Sequence, residues 1–538
     1  MNLLTLLIVS GILLLIAYFT YGKYLEKRLG VDPNRKTPAI TIADGVDYVP
    51  ASKPVLLGHH FATIAGGGPI VGPITAAVFG WIPAVIWILV GSIFLGGVHD
   101  YASLQASIRH KAQSIGSIIK EYIGKKGQTL FLIFSIATIM LIVGVFMILV
   151  ADTFEAVPEA ATASMLFIAI AIIFGFIINQ LRINLGIATI FGVIAMFASI
   201  YIGVKFPWQM SSEFWLIVLL VYAFIASVLP VWMLLQPRDY LNSYLLYGMM
   251  IGAVLGIIFT APEIQFPGYT SFYNESQGYL FPMLFIIIAC GALSGFHSLV
   301  ASGTTAKQLD NEKNGRFIAY GSMLVEAFLA IIAVGTVAYL SQGKFNALME
   351  DGATPVSIFS NGIGYFMSNF GLPQQTGITF TALTVSAFLL TSLDSASRLG
   401  RYAVQEFCEE RVPKIAKSGT ISTTIILIGA ALLAFSGTWS SVWPVFGAAN
   451  QMLGAIALLA VTAWLTKKGA KPLFTLIPMI FMFIVTLSAL FMLIQQNIAK
   501  ENYVLSGVAI ALLALCLVLI FQAWQTFFGK NKDMSIRS

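Results

Sequence analysis

The segment 58–73, which reads GHHFATIAGGGPIVGP, limits the folds open to this chain more than any other stretch. It opens an apolar run that continues to about residue 80, yet it holds three consecutive glycines and two prolines. Because proline removes an amide donor and glycine is a poor helix former, we expect the helix to break at 66–69. In a transporter, a broken helix of this kind is the usual place for an ion or substrate. The alternative is a glycine kink that lets two helices pack closely.

The composition identifies a polytopic membrane protein. Of the 538 residues, 58% are hydrophobic and only 10% are charged, whereas soluble domains carry about 25% charged residues. The net charge of +6 does not indicate nucleic-acid binding, because the basic residues lie in the loops between apolar segments. The cysteines Cys290, Cys408 and Cys516 form no CxxC pair, which predicts neither a disulfide framework nor a zinc site. The apolar run 3–21 has no basic residue before it, so we expect a retained helix rather than a signal peptide.

About fifteen segments are long and apolar enough to span a bilayer. They lie near 3–21, 58–80, 84–107, 128–150, 163–179, 185–204, 213–233, 242–260, 280–305, 317–340, 376–395, 421–437, 443–465, 473–495 and 503–527. With this count, all but three of the 30 Lys and Arg residues fall in loops on one side. The exceptions are Lys205, Lys344 and Lys500. Since cytoplasmic loops attract positive charge, we expect the N-terminus outside and the C-terminus inside.

The alternation of the spans predicts two five-helix units related by inversion. The first unit is 58–205 and the second 213–400, preceded by an N-terminal helix and connector at 1–57 and followed by accessory helices at 401–538. The second unit should then have its own broken helix, and we expect a distortion around Pro230. The fold class is therefore an all-α membrane protein with a five-plus-five inverted-repeat core, one extra N-terminal helix and about four extra C-terminal helices.

Several long stretches resemble the carbon starvation protein A family of bacterial membrane transporters. They are GHHFATIAGGGPIVGP, LGGVHDYASLQASIRHKAQSIG, LPVWMLLQPRDYL, ACGALSGFHSLVASGTTAKQL, TSLDSASRLGRYAVQE and WPVFGAANQMLGA. They occur in the family's order and cover most of the chain. The resemblance implies uptake of peptides or pyruvate during nutrient limitation across the bacterial inner membrane. It also implies the fold of the amino acid–polyamine–organocation superfamily, in agreement with the inverted repeat. This chain looks like a shorter member of the family.

Glycines, prolines and histidines at membrane depth form the predicted substrate site. Unsatisfied amides at the start of a helix bind anions, so we expect a substrate carboxylate against the amides that follow Gly66. Histidine changes charge near neutral pH and can carry a coupling proton. The alternative is that one histidine merely caps the helix. The predicted substrate-binding residues are His59, His60, Gly66, Gly67, Gly68, Pro69, Pro230 and His297.

A second set of residues is predicted to couple transport to protons or to sodium. Ionisable groups inside membrane helices are costly and are functional candidates by default. The hydroxyls after His297 recur every three to four residues, which places them on one helical face. In the superfamily that the chain resembles, the corresponding face binds sodium; the alternative is tight packing of small residues. The predicted coupling residues are His99, Asp100, Ser298, Ser302, Thr305 and Glu326.

Asp394 and Arg398 stand four residues apart, which suits an i,i+4 ion pair on a helix. We interpret this pair as a gate. Asn450 and Gln451 lie outside the predicted ten-helix core, so we assign them to packing or to contacts between copies of the chain. The sequence leaves open whether the chain forms homo-oligomers.

The leading functional hypothesis is secondary transport of a small organic nutrient, a pyruvate-like carboxylate or a short peptide, by alternating access. We expect no catalytic residues, no metal and no cofactor beyond the coupling ion, H⁺ or Na⁺, with the substrate and the lipid bilayer as partners. An intramembrane metal-binding protein or metalloenzyme is one alternative, although no HExxH motif occurs. A nutrient sensor that binds without transporting is another, although large polar signalling loops are absent.

Overall fold

A computed structural model describes residues 2–45, 48–181, 183–230, 233–436 and 439–528, and they are mostly helical. The longer helices are Leu3–Phe19, Tyr21–Arg28, Lys53–Ile64, Gly68–Ala76, Trp81–Gly91, Gly97–Arg109, Ile115–Tyr122, Lys125–Ala156, Pro158–Asn179, Leu185–Lys205, Ser212–Val228, Leu235–Thr260, Leu280–Ile287, Gly295–Gly303, Gly321–Ala338, Gln342–Glu350, Pro355–Ser368, Gln374–Cys408, Gly419–Ser436, Trp439–Lys467, Leu473–Ala499 and Tyr503–Phe528. Four-residue helices lie at Pro38–Thr41 and Pro413–Ala416. The strands Tyr273–Asn274 and Gly278–Tyr279 form an antiparallel hairpin.

Short 3₁₀ and π segments link several of these helices. The 3₁₀ turns are Ala77–Phe79, Thr305–Lys307 and Glu312–Asn314, and the π segments are Ser92–Gly96 and Arg316–Tyr320. Each π segment continues directly into a helix that belongs to a membrane span. π segments inside helices are uncommon and concentrate at functional sites. Both spans are therefore candidates for carrying a functional site.

The predicted number of spans agrees with the structure. Within the described residues, 13 helical stretches are long and apolar enough to cross a membrane. The two remaining predicted spans are helical as well, but one is short and the other is interrupted. Helix Ser212–Val228 has only 17 residues, and the segment predicted at 280–305 consists of Leu280–Ile287 and Gly295–Gly303. The chain is thus an all-α polytopic membrane protein.

The helix predicted to break at Gly66–Pro69 is interrupted there. Lys53–Ile64 ends before the glycines, residues 65–67 are non-helical, and Gly68–Ala76 resumes the path with Pro69 in its first turn. We call these two parts the first interrupted helix. Proline is favoured in a first turn because that turn's amides lack intrahelical acceptors in any case.

The glycines of this break let three neighbouring elements approach the backbone. An added Cβ at Gly67 would lie 2.5 Å from the Leu389 side chain. A Cβ at Gly66 would overlap Ser392, and one at Gly68 would overlap Cys290. These three glycines therefore allow close packing of neighbouring side chains, as the packing alternative predicts.

The second interruption does not lie at Pro230, and that prediction is wrong. Helix Ser212–Val228 ends before Pro230 and the next helix begins at Leu235, so the exposed Pro230 stands in a connection between two helices. The interruption lies instead between Leu280–Ile287 and Gly295–Gly303, which we call the second interrupted helix. The intervening residues 288–294 read IACGALS, and no proline marks them.

Several predicted loops are ordered helices. Helix Ile115–Tyr122 lies inside the predicted loop 108–127, and Gln342–Glu350 and Pro355–Ser368 lie inside 341–375. Helix Gln374–Cys408 extends well into the predicted loop 396–420. Arg238 and Arg398, which the orientation argument counted as loop charges, are therefore buried within helices.

Two long helices flank the first interruption. Lys125–Ala156 has 32 residues and Gln374–Cys408 has 35, and they pack extensively against each other. Gln374–Cys408 supplies Leu389 and Ser392, and Lys125–Ala156 supplies Leu149, to the surroundings of the glycines. The break is thereby enclosed by protein, as unpaired backbone at membrane depth requires.

Candidate functional site

Four ionisable side chains from three spans meet in the buried interior. His99 and Asp100 lie in the first turn of Gly97–Arg109, His297 lies on the second interrupted helix, and Glu326 lies on Gly321–Ala338. His99 Nδ1 lies 2.8 Å from Asp100 Oδ1, and His297 Nδ1 lies 2.9 Å from Asp100 Oδ2. All four side chains have 0% exposure. We call His99, Asp100, His297 and Glu326 the acid–histidine cluster; the sequence prediction named each member.

The hydrogen bonds of this cluster determine where protons sit. An ionised carboxylate only accepts hydrogen bonds, so Asp100 orients the Nδ1–H groups of His99 and His297 toward itself. The other nitrogen of His297, Nε2, then faces Glu326 Oε2 at 3.6 Å. Neither oxygen of Glu326 has a hydrogen-bond partner among the described residues. One proton can therefore reside either on His297 Nε2 or on Glu326, across a short gap.

The two adjacent histidines of the first interrupted helix have separate partners. His59 Nδ1 donates to Asp239 Oδ2 over 2.8 Å, and His60 Nδ1 lies 2.8 Å from Thr305 Oγ1. Adjacent helical residues project about 100° apart, so they cannot both point at one group. Because Thr305 follows the helix that carries His297, the contact between His60 and Thr305 joins the two interrupted helices.

A second buried ionic cluster lies beside His59. Arg238 pairs with Asp394 and also lies 3.5 Å from Asp239, while Tyr222 Oη donates to Asp394 over 2.7 Å. We call Tyr222, Arg238, Asp239 and Asp394 the arginine cluster. It joins helix Leu235–Thr260 to helix Gln374–Cys408 through fully buried charges.

The predicted ion pair between Asp394 and Arg398 is wrong. Arg398 donates instead to the backbone carbonyls of Ala226, at 2.9 Å, and of Leu229. These carbonyls end helix Ser212–Val228 and have no intrahelical donors, so a guanidinium satisfies them. Arg238, on a different helix, pairs with the Asp394 carboxylate. Whether this region acts as a gate stays a prediction.

Arg238 and Asp239 are not among the predicted site residues, because the predicted span boundaries place both in a loop. Helix Leu235–Thr260 begins three residues before Arg238, with Pro237 in its first turn. Proline is tolerated in a first turn, so Pro237 could have been interpreted as a helix start rather than a helix end. With that start, an Arg–Asp pair at membrane depth would have been a candidate by the same rule that selected Glu326.

The predicted hydroxyl face is only partly free. Ser298 Oγ donates to Gly295 O and Ser302 Oγ donates to Ser298 O, each at 2.7 Å. Thr305 contacts His60, so this hydroxyl does link the face to the first interrupted helix. The carbonyl of Thr63 at the end of that helix's first half instead accepts from Ser392 Oγ at 3.0 Å.

Side chains from neighbouring spans hold the second interruption open. Trp87 Nε1 donates to Ile288 O at 3.1 Å, and Gln451 Nε2 donates to Phe285 O at 2.7 Å. Asn450 Oδ1 accepts from Phe296 N at 2.8 Å, at the start of the second half. Asn450 and Gln451 thus bond backbone groups at the break, and whether their helix lies outside the ten-helix core stays a prediction.

Among the described residues, no group of three or more His, Cys, Asp or Glu side chains is arranged to hold a metal ion. The predicted site residues divide as follows. The structure brings together His99, Asp100, His297 and Glu326, with His60 and Thr305 adjacent, and it places His59 with the arginine cluster. Pro230 stands apart from both clusters in its exposed connection.

Comparisons with known proteins agree with the resemblance. The family of carbon starvation protein CstA matches residues 2–353 and 347–489. Three relatives illustrate the similarity. The peptide transporter CstA of Campylobacter jejuni is 33% identical over 90% of this chain and 79% of its own. The pyruvate/proton symporter BtsT of Escherichia coli is 32% identical over 90% and 81%. The peptide transporter CstA of Bacillus subtilis is 31% identical over 100% and 99%.

A solved structure shares the fold. A manganese transporter from Eremococcus coleocola superposes with a TM-score of 0.53 at 11% identity, covering 90% of this chain and 99% of its own. At this identity the likeness concerns the fold alone. It supports the five-plus-five inverted-repeat core that the alternation of the spans predicts.

Proposed function

Because the chain belongs to the carbon starvation protein CstA family, we propose that it imports a small organic nutrient, a pyruvate-like carboxylate or a short peptide, together with protons. The family places it among multi-pass membrane transporters and not among enzymes. Two of the three relatives described above are named peptide transporters and the third a pyruvate/proton symporter. These names support the substrate classes proposed here.

One observation carries the coupling proposal. Glu326 is fully buried, has no hydrogen-bond partner among the described residues, and faces His297 Nε2 at 3.6 Å. An ionised carboxylate without donors in a dry interior is costly, so such a group binds a proton or finds a counter-charge. His297 can provide either, because Asp100 fixes its ring and leaves Nε2 toward Glu326. A proton that moves between Glu326 and His297 changes the charge at the second interrupted helix.

The substrate carboxylate is proposed to bind at the first interruption, against the amides of Gly66–Gly68 where Gly68–Ala76 begins. Helix starts attract anions through unpaired amides and the helix dipole. His60 lies one to two turns away on the same path and contacts Thr305 of the segment that follows the second interrupted helix. An anion bound here would change the electrostatic environment of both interrupted helices. Pro230, which is exposed in its connection, is not proposed to bind the substrate.

The interrupted helices also suggest new boundaries for the repeats. We propose units 53–205 and 280–467, with helices Ser212–Val228 and Leu235–Thr260 inserted between them. Each unit then opens with an interrupted helix, and its third helix is the longest one, Lys125–Ala156 or Gln374–Cys408. The proposed orientation stays N-terminus outside and C-terminus inside, in a bacterial cytoplasmic membrane.

Flux into proteoliposomes tests the proposal. Purified protein is reconstituted, and uptake of radiolabelled pyruvate and of alanyl-alanine is measured under separately imposed proton and sodium gradients. We expect an inward proton gradient to drive accumulation of at least one substrate. Accumulation under a sodium gradient alone would contradict proton coupling and favour the hydroxyl face as a cation site. Saturable binding without flux under either gradient would indicate a sensor.

A further inference from the structure

A cavity of about 380 Å³, whose mostly apolar wall carries several polar side chains, lies beside the second half of the second interrupted helix. Its walls come from the segment after Gly97–Arg109, from helix Lys125–Ala156, from Gly295–Gly303 and from the end of Gln374–Cys408. Its lining includes Tyr48, Ser302, Lys307, Tyr402, Gln405 and Glu406. The volume lies within the range of about 300–1,000 Å³ that small-molecule sites occupy. In the proposed orientation the cavity is on the cytoplasmic side.

Lys307, the lysine in the described wall of this cavity, lies between two aromatic rings. Lys307 Nζ lies 5.4 Å from the ring centre of Tyr48 and 5.1 Å from that of Tyr402. Cation–π contacts of this kind position an ammonium group. Among the described residues these two ring contacts are the ones made by Lys307 Nζ, and they leave its N–H groups able to donate to an anion.

Glu406, the carboxylate in the described wall of the cavity, bonds to other partners. Glu406 accepts from Ser114 Oγ at 2.9 Å and from Gln128 Nε2 at 2.9 Å. No described carboxylate lies within 4 Å of Lys307 Nζ, whereas Lys120 and Lys125 both pair with Glu410 nearby. The positive charge at this wall therefore lacks a described counter-charge.

The lysine is also connected to the coupling residues. It ends the 3₁₀ turn Thr305–Lys307, and Thr305 at the start of that turn contacts His60. Ser302 belongs to the helix that carries His297 and lines the same cavity. A ligand on Lys307 is thus two residues from the hydrogen bond that joins the two interrupted helices.

We propose that Lys307 binds the carboxylate of the transported substrate on the cytoplasmic side, as a release site distinct from the one at the glycines. The proposal rests on the proposed function and adds a residue and a cavity to it. The ligand carboxylate supplies a negative charge that no described residue places within 4 Å of Lys307 Nζ, and an ammonium–carboxylate contact is among the stronger hydrogen bonds. Tyr48 and Tyr402 keep the ammonium in place before and after binding.

A labelling assay tests this site without requiring transport. Gln405 is replaced by cysteine in a chain whose three native cysteines, all buried, are replaced by alanine. A membrane-impermeant maleimide then labels the cavity in inside-out vesicles. We expect pyruvate and alanyl-alanine to slow the labelling, and methyl pyruvate, which lacks the charge, to protect much less.

Variants of the lysine decide the outcome. We expect Lys307→Gln to raise the pyruvate concentration needed for protection by at least about tenfold, because one charge-assisted contact is lost. Lys307→Arg keeps the charge and should protect nearly as well, and Lys313→Gln, an exposed lysine on the same connection, should have no effect. Equal protection in Lys307→Gln, equal protection by methyl pyruvate, or no protection by either carboxylate would overturn the proposal. Proton-driven uptake is measured separately, so failure here leaves the proposed function standing.

Discussion

Replacing Asp394 by asparagine tests which arginine its carboxylate stabilises. Arg238 and Asp394 have side-chain exposures of 1% and 0%. Removing one member of a buried pair leaves an uncompensated charge, which costs about 3–5 kcal/mol of unfolding free energy. Because Arg238 keeps Asp239 at 3.5 Å, we expect Asp394→Asn to cost about 3 kcal/mol, at the lower end of this range.

A double-mutant cycle isolates the pair. In the Arg238→Met background both charges are gone, so we expect Asp394→Asn to cost at least about 1.5 kcal/mol less than it does alone. In the Arg398→Met background we expect a coupling below about 0.5 kcal/mol, because Arg398 bonds to backbone carbonyls. Unfolding is followed by tryptophan fluorescence as the detergent is changed from a mild one to SDS. A coupling of Asp394 to Arg398 that exceeds its coupling to Arg238 would refute the reasoning.

Two further substitutions test the packing of the interrupted helices. Gly67→Ala should lower the unfolding free energy because the new methyl group would lie 2.5 Å from the Leu389 side chain. Leu389→Ala in the same chain should relieve this clash. An equal loss of unfolding free energy in both backgrounds would mean that the methyl group clashes with a different residue. Asn450→Leu should cost about 1–3 kcal/mol because the buried amide of Phe296 loses its acceptor. Stability equal to that of the unmodified chain in Asn450→Leu would show that the amide has another acceptor.

Composition and local helix chemistry were sufficient to predict most of the fold. The number of spans follows from apolar length, and the break at Gly66–Gly68 follows from the poor helix propensity of glycine together with Pro69. The second break was not predicted, because residues 288–294 contain small residues but no proline. Its backbone carbonyls accept hydrogen bonds from tertiary donors such as Gln451 and Trp87. These donors are far from the break in sequence, so local sequence patterns do not indicate them.

The site was predictable residue by residue but not as a set of contacts. The cost of charge at membrane depth singled out Asp100, His297 and Glu326, yet the contact between Asp100 and His297 joins residues 197 positions apart. Local spacing even misled for Asp394, where the i,i+4 rule favoured Arg398 over the tertiary partner Arg238. A helix rule describes an isolated helix, whereas a buried carboxylate pairs with whichever cation the packing brings to it.

Replacement of Glu326 by glutamine tests the central claim, that the contact between Glu326 and His297 carries the coupling proton. The measurement compares two modes of the same proteoliposomes, exchange of substrate at equal pH on both sides and accumulation under an imposed proton gradient. We expect Glu326→Gln to retain exchange and to lose gradient-driven accumulation, because the glutamine fills the same space and binds no proton. Glu350→Gln, at an exposed position on helix Gln342–Glu350, serves as the control and should retain both. Gradient-driven accumulation at the level of the unmodified protein in Glu326→Gln would contradict the account.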